Sequence, residues 1–156
     1  MTDAEIQPAE MVDLDRYPIA DLDQPETAEF ADRCRAEYRE TGLCMLPAFV
    51  RPAALEVLAG EASLLSDQAY FCKSTHNAYL TEDEDGLADE DVRRRQEETY
   101  VGSVAYDLIP ANAALRRLYT WDPLRDFIGA VLGKPVLHRF ADPMGACSIN
   151  VFKDGG

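Results

Sequence analysis

The pattern of apolar and polar positions predicts three well-bounded helices. The first begins at Pro25 and ends before Gly42, the second begins at Pro52, and the third is capped by Asp122 and ends before Gly133. Each has apolar residues at helical spacing. Their apolar faces consist of Phe30, Cys34 and Tyr38; Ala54, Leu55, Leu58, Ala62 and Leu65; and Leu124, Phe127, Ile128, Val131 and Leu132.

The last part of the chain has the pattern of β-strands. Two runs rich in β-branched and aromatic residues, Val136–Phe140 and Ala146–Phe152, flank an Asp142–Gly145 turn. The second run alternates, with Cys147, Ile149 and Val151 on one side and Ser148, Asn150 and Phe152 on the other. The Lys-Asp-Gly-Gly that follows predicts a turn towards a further strand. We therefore expect a chain that has been truncated within its domain.

The remaining stretches give weaker patterns. Leu43–Val50 is apolar but contains a proline, which predicts an edge or bulged strand. Residues 66–100 are interpreted as a solvated loop with a short charged helix. Thr99–Ile109 is interpreted as a strand or a lid-like segment, and Ala113–Tyr119 as a short helix.

Composition narrows the class of protein. The chain has 156 residues, of which 47% are hydrophobic, and this fits one globular domain. The net charge of −14 disfavours nucleic acid and anionic membrane surfaces as partners. Residues 1–24 are acidic and predict a flexible or loosely draped arm, which the Tyr17–Ile19 cluster pins to the body.

Few residues suggest chemistry on their own. The four cysteines are widely spaced and are expected to be reduced thiols in a cytoplasmic protein. His138 lies in a predicted strand and is interpreted as structural, whereas His76 lies among polar loop residues suited to contacting a substrate. Within Arg93–Arg95, one arginine either faces solvent or turns inward to hold a carboxylate. There is no nucleophile elbow, Walker or dinucleotide glycine motif.

The order of elements nevertheless resembles a known family. A helix is followed by Gly-Leu-Cys-Met-Leu-Pro-Ala-Phe-Val-Arg-Pro, a helical layer, and then Leu-His-Arg-Phe-Ala-Asp-Pro-Met-Gly-Ala-Cys-Ser-Ile-Asn-Val-Phe-Lys-Asp-Gly-Gly. This arrangement is similar to the first half of an iron(II)/2-oxoglutarate-dependent dioxygenase of the amino-acid hydroxylase and halogenase group. The resemblance implies an α+β fold, in which residues 25–156 place N-terminal helices on the first strands of an incomplete jelly roll.

The resemblance also implies what this chain lacks. In the family, the strand that matches Ser148–Phe152 leads into a His-x-Asp or His-x-Gly motif, with a second histidine further on. We expect these ligands beyond Gly156. The complete enzyme would then use Fe(II) and 2-oxoglutarate, and this chain alone would bind neither and be inactive.

Four residues carry over as candidate site residues. Asn150 matches a position that faces the 2-oxoglutarate, or is an inward polar residue satisfied by its neighbours. Asp142 meets a substrate amino group, or forms the turn before Pro143. Arg95 and His76 are the candidates for contacting the substrate, with Arg95 on its carboxylate.

Two functions follow from these observations. The first is the N-terminal segment of an oxygenase that hydroxylates or halogenates a small amino-acid-like substrate. The alternative is a complete, non-catalytic domain that binds a small molecule or a protein.

Overall fold

The fold is of the α+β class. The structure, a computed structural model, describes residues 5–81 and 86–153, which form five α-helices and three strands. The helices are α1 (Pro8–Met11), α2 (Pro25–Thr41), α3 (Pro52–Leu65), α4 (Ala114–Thr120) and α5 (Asp122–Leu132). The strands are β1 (Tyr70–His76), β2 (Glu97–Val104) and β3 (Ile149–Phe152). None of the helices in these ranges has the length and apolar character needed to cross a bilayer.

The predicted helix boundaries are largely confirmed, because the signals that set them are local. Proline stands in the first turn of α2, α3 and α5, where its missing N–H costs no hydrogen bond. Gly42 and Gly133 end α2 and α5 at φ 75° and 67°, a left-handed conformation that favours glycine. Asp122 was predicted as the cap of α5 but is its first residue, with Trp121 at the cap position.

A helical core joins the arm to α2 and α5. The ring of Phe30 in α2 stacks on Phe127 in α5, with centroids 5.5 Å apart. Arg35 Nε donates to the carbonyl of Ala130 at 2.6 Å and fixes the same pair of helices. The buried members of this core are Val12, Tyr17, Ile19, Phe30, Ala31, Cys34, Phe127 and Val131.

The predicted arm is packed along the body over its described residues. Tyr17 and Ile19 are buried, as expected for the pinning cluster, and Met11 and Val12 are buried as well. Tyr17 Oη donates to the carbonyl of Pro47 at 2.6 Å. Val12 forms an isolated antiparallel bridge with Val50. This bridge is all the strand structure of Leu43–Val50, so the prediction of an edge strand there was wrong.

The sheet is antiparallel, in the order β1-β2-β3. Tyr70 pairs with Ser103 and His76 with Glu97, while Val104 pairs with Ile149. The interpretation of residues 66–100 as a loop was therefore wrong for β1. The sheet packs on α3 and the chain after β2 through a second core of Leu65, Val104, Ile109 and Ala113, with Ile149 against it.

The first of the two predicted C-terminal strands is absent. Residues Val136–Phe140 are irregular, because they lie against α5 instead of the sheet. Arg139 donates to Asp122 and to the carbonyl of Thr120. Leu137 lies close to Gly129: a Cβ added at position 129 would be 3.3 Å from the Cβ of Leu137. The second strand forms over Ile149–Phe152, and its predicted alternation of burial is confirmed.

Candidate functional site

Helical residues cover one corner of the sheet, where Val104 and Ile149 pack in the core that contains Leu65 of α3. On the same face Lys73, Thr75 and Glu98 are exposed, and the opposite face is open. Side chains alternate along a strand, so the register assigns each residue to one face. We call the uncovered side the open face. Its members are Tyr70, Cys72, Ser74 and His76 in β1, Glu97, Thr99, Val101 and Ser103 in β2, and Asn150 and Phe152 in β3. Two of the four candidate site residues, Asn150 and His76, therefore share one surface.

Asn150 lies at one end of the open face. Its side-chain Oδ1 accepts a hydrogen bond from Ser103 Oγ at 3.1 Å, across the β2–β3 pair. The residue is exposed, so the amide is available to a ligand above the sheet. Ser103 was not a candidate from the sequence, since nothing in its local pattern distinguishes it from any strand serine.

His76 and Arg95 come together at the other end. They line a cavity of about 420 Å³ with Asn77, Ala78, Val92 and Glu97, which we call the hairpin pocket. The pairing of His76 with Glu97 brings His76 and Arg95 together, because Arg95 precedes Glu97 by two residues. Ser103 pairs with Asn150 on one side and with Tyr70 on the other, and His76 lies six residues beyond Tyr70 in β1. The hairpin pocket is therefore roughly 20 Å from Asn150.

Asn77 holds the wall of the hairpin pocket in place. Its side chain is buried and donates to Thr81 Oγ1 at 2.7 Å and to the carbonyl of Arg93 at 2.8 Å. Its Oδ1 accepts from the backbone N–H groups of Tyr79 and Thr81. These four bonds tie the two ends of the β1–β2 connection together. The sequence signal was an asparagine directly after a β-rich run, a place where such side chains bond to nearby backbone.

The hairpin pocket carries both signs of charge. Arg95 Nε donates to Glu97 Oε1 at 3.1 Å, and both side chains are largely exposed. An exposed pair of this kind contributes little to stability, so exchanging it for a charged ligand costs little. A guanidinium suits a carboxylate and the neighbouring Glu97 suits an ammonium group. The arrangement is therefore complementary to a zwitterion.

Asp142 lies away from the hairpin pocket and forms a turn. Its Oδ1 accepts from the backbone N–H groups of Met144 and Gly145 at 2.7 and 2.8 Å. These two bonds, that to Gly145 first, lower the pKa of the Asp142 carboxyl. The carbonyl of Met144 accepts from the N–H of Tyr106, just after β2. Asp142 therefore has the turn-forming contacts that were one of its two interpretations.

A larger groove lies in the helical part of the molecule. It has a volume of about 930 Å³ and runs between residues 19–23, α5 and residues 134–139. Arg125 and Arg139 line it, but both are ion-paired to Asp122. The exposed His138 also lines it and is thus separate from His76. The groove and the hairpin pocket therefore have no lining residue in common.

The described residues do not fit an iron site. Across 5–81 and 86–153, no three His, Cys, Asp or Glu side chains lie close enough together to hold a metal ion. A facial triad needs two histidines and a carboxylate converging on one point. His76 and His138 line different cavities and do not converge. No step of a reaction through iron is therefore assigned to this chain.

Comparison with known proteins adds no relative: no family model, no curated protein and no solved structure matches the chain.

Proposed function

We propose that this chain is the N-terminal part of an iron(II)/2-oxoglutarate-dependent oxygenase acting on a small amino-acid-like substrate. In this proposal the three strands are the first strands of a jelly roll, and the metal ligands belong to sequence that follows Gly156. The reaction of the complete enzyme is a hydroxylation or a halogenation.

One observation carries the proposal. The helical contacts of the sheet lie on the face of Val104 and Ile149, and the open face presents Asn150 and His76 on the other side. A jelly roll needs this asymmetry, because one face of each sheet lines the interior of the barrel. The alternating strand Ile149–Phe152, the most specific part of the resemblance, lies at the edge of the sheet, where further strands would be added.

The role proposed for this chain is to hold the substrate. Arg95 binds the substrate carboxylate in exchange for Glu97, and Glu97 receives the substrate ammonium group. His76 forms the third side of the same pocket. Asn150 lies about 20 Å along the open face. Because the substrate and the 2-oxoglutarate react at one iron, a contact of Asn150 with 2-oxoglutarate is proposed as the alternative to the substrate contact of Arg95.

The proposal is tested with the complete gene product. We expect its sequence to contain His-x-Asp or His-x-Gly soon after Gly156 and a second histidine further on. With Fe(II) and 2-oxoglutarate, it should form succinate when a free amino acid from a panel is added. If the motif is missing, or no amino acid stimulates succinate formation, the proposal is wrong.

Two variants of that protein test the role of Arg95. Arg95→Ala should raise KM for the amino acid roughly tenfold or more, because a charge-assisted contact is lost, with a smaller change in kcat. Arg39→Ala, an exposed arginine on α2, is the matched control and should leave KM unchanged.

The present chain separates the proposal from the alternative of a complete binding domain. Calorimetric titration with Fe(II) and 2-oxoglutarate should give no specific binding. Saturable binding of an amino acid to this chain alone, with no oxygenase motif in the gene, would favour the binding domain.

A further inference from the structure

A segment beside α5 has the alternation of a β-strand but no neighbouring strand. We call residues 134–142 the edge segment. In its centre, Leu137 and Arg139 are half-buried, and their contacts are with Gly129 and Asp122 of α5, respectively. The residues that alternate with them are exposed: they are Val136, His138 and Phe140. This period of two is typical of an extended chain with one side on the protein and the other in solvent.

The backbone in the centre of the edge segment is unpaired. Across residues 5–81 and 86–153, no hydrogen bond is formed with the N–H or C=O groups of Val136–Phe140. The groove of about 930 Å³ runs beside residues 136–139 and leaves their backbone open. An extended segment with unpaired backbone groups is a template for pairing with another strand. The edge segment can therefore accept a strand that the described residues do not supply.

The sequence of the edge segment is complementary to itself. In an antiparallel pair of two copies related by a two-fold axis, a register centred on His138 sets Val136 opposite Phe140 of the second copy. The same register sets Lys134 opposite Asp142 of the second copy, so opposite charges meet at both ends. Val136 and Phe140 are 63% and 65% exposed in the single chain, and this pairing covers them. A second copy is therefore the partner whose chemistry fits this edge.

We propose that the chain forms a homodimer in which the edge segments of two copies pair as antiparallel strands centred on His138. The prolines specify which edge is used. Pro135 and Pro143 have no N–H, and both are an odd number of residues from His138. Backbone groups of successive residues point to opposite edges, so pairing through Val136, His138 and Phe140 leaves both prolines out of the ladder. That ladder contains roughly six hydrogen bonds.

The small size of this interface makes the dimer weak. Each copy contributes one short strand, which buries much less than the roughly 800 Å² per partner of a stable interface. The net charge of −14 on each copy also opposes association. We expect a dissociation constant on the order of 10–100 µM, so the dimer forms at high protein concentration.

The test uses the whole chain with a reducing agent present, so that no disulfide can link two copies. Sedimentation equilibrium should show a monomer at about 5 µM and mostly dimer at about 500 µM. Amide hydrogen exchange followed by NMR then identifies the edge. The N–H groups of Val136, His138 and Phe140 should exchange roughly four to ten times more slowly at the higher concentration. Those of Leu137 and Arg139 point to the other edge and should be unchanged.

A pair of proline variants tests the same edge. His138→Pro removes the central N–H from both copies and should raise the dissociation constant roughly tenfold or more. Ala141→Pro, at an exposed position, is the matched control: its N–H points to the other edge, so dimerisation should be unchanged. Lys134→Glu sets like charges opposite Asp142 and should weaken the dimer without any change in the backbone. Circular dichroism of each variant checks that it is folded.

Three results would show that the proposal is wrong. The first is a chain that stays monomeric at about 500 µM. The second is a dimer that protects the amides of β1 or β3 and leaves those of the edge segment unprotected. The third is a dimer that Lys134→Glu does not weaken and that the two proline variants affect equally.

Discussion

The helical part of the molecule and its sheet differ in how much of their apolar surface is buried. In the helical part, the arm, α2 and α5 surround one core, and Val12 and Ile19 are fully buried. In the sheet, the buried apolar side chain is Val104, on the face towards α3, while Tyr70 and Phe152 on the open face are 77% and 67% exposed. The larger buried core therefore lies in the helical part, whereas the open face of the sheet is available for binding.

The largest expected change in stability comes from removing one aromatic ring from the helical part, compared with removing one from the sheet. Phe127→Ala deletes a buried ring stacked on Phe30, and we expect it to lower the free energy of unfolding by about 3–5 kcal/mol. Phe152→Ala deletes an exposed ring and should cost less than about 1 kcal/mol. Urea denaturation monitored by circular dichroism measures both values. Equal losses would show that the open face is covered in solution.

A smaller effect is expected on the face of the sheet opposite the open face. The ring of Phe71 lies across Gly102, and a Cβ at 102 would come within 2.7 Å of it. Gly102→Ala must therefore displace the ring from its contact with Tyr100, which we expect to cost about 1–2 kcal/mol. In a Phe71→Leu background the same substitution should cost much less, and denaturant unfolding of all four proteins measures this coupling.

Gly60 provides the matched control in the helical part. It lies inside α3, and a Cβ there would meet nothing within 4 Å. Gly60→Ala should therefore stabilise the protein by about 0.5–1 kcal/mol through helix propensity alone. If Gly60→Ala destabilises while Gly102→Ala does not, the proposed difference in packing between the two sites is wrong.

The same contrast explains what the sequence predicts well. The bounds of α2, α3 and α5 depend on prolines and glycines adjacent in the chain, and these signals are local. Strand β1 pairs with β2, which is distant in the chain: Tyr70 pairs with Ser103 and His76 with Glu97. The strand also contains Lys73, Ser74 and Thr75, so its own sequence pattern is weak. Conversely, Val136–Phe140 has a strand-like composition, but the contact of Arg139 with Asp122 holds it on α5.

The candidate site follows the same rule. His76 and Arg95 were each selected for their chemistry, but their meeting in one pocket requires β1, which the sequence did not predict. Glu97 was missed for the same reason, since its role depends on the strand pairing. Asn77 had a local signal, because its partners Tyr79 and Thr81 are two and four residues away. Asp142 was predictable as a turn residue, because its partners are two and three residues away.

The smallest effect concerns the connection between β1 and β2, where Asp91 receives two hydrogen bonds from the Arg93 side chain. This contact, followed by the Arg93 N–H, lowers the pKa of Asp91 to about 2. The folded pKa lies below the unfolded value of about 3.9, so folding is favoured by this carboxylate above pH 4 and loses that contribution as the pH falls through 2. Asp91→Asn should melt slightly below the wild type at pH 6, and most of the difference should be lost by about pH 2 and the remainder near pH 1.

The measurement is the difference in melting temperature between the two proteins across that pH range. Other carboxylates titrate in the same window, but they do so in both proteins and cancel in the difference. Asp107→Asn, at an exposed carboxylate outside this ion pair, is the control for loss of charge alone. A difference that persists unchanged at pH 2 would assign the effect to the side-chain amide. A difference that disappears would show that the connection beside the hairpin pocket is held in part by the Asp91 charge, in contrast to the apolar contacts that hold the helical part.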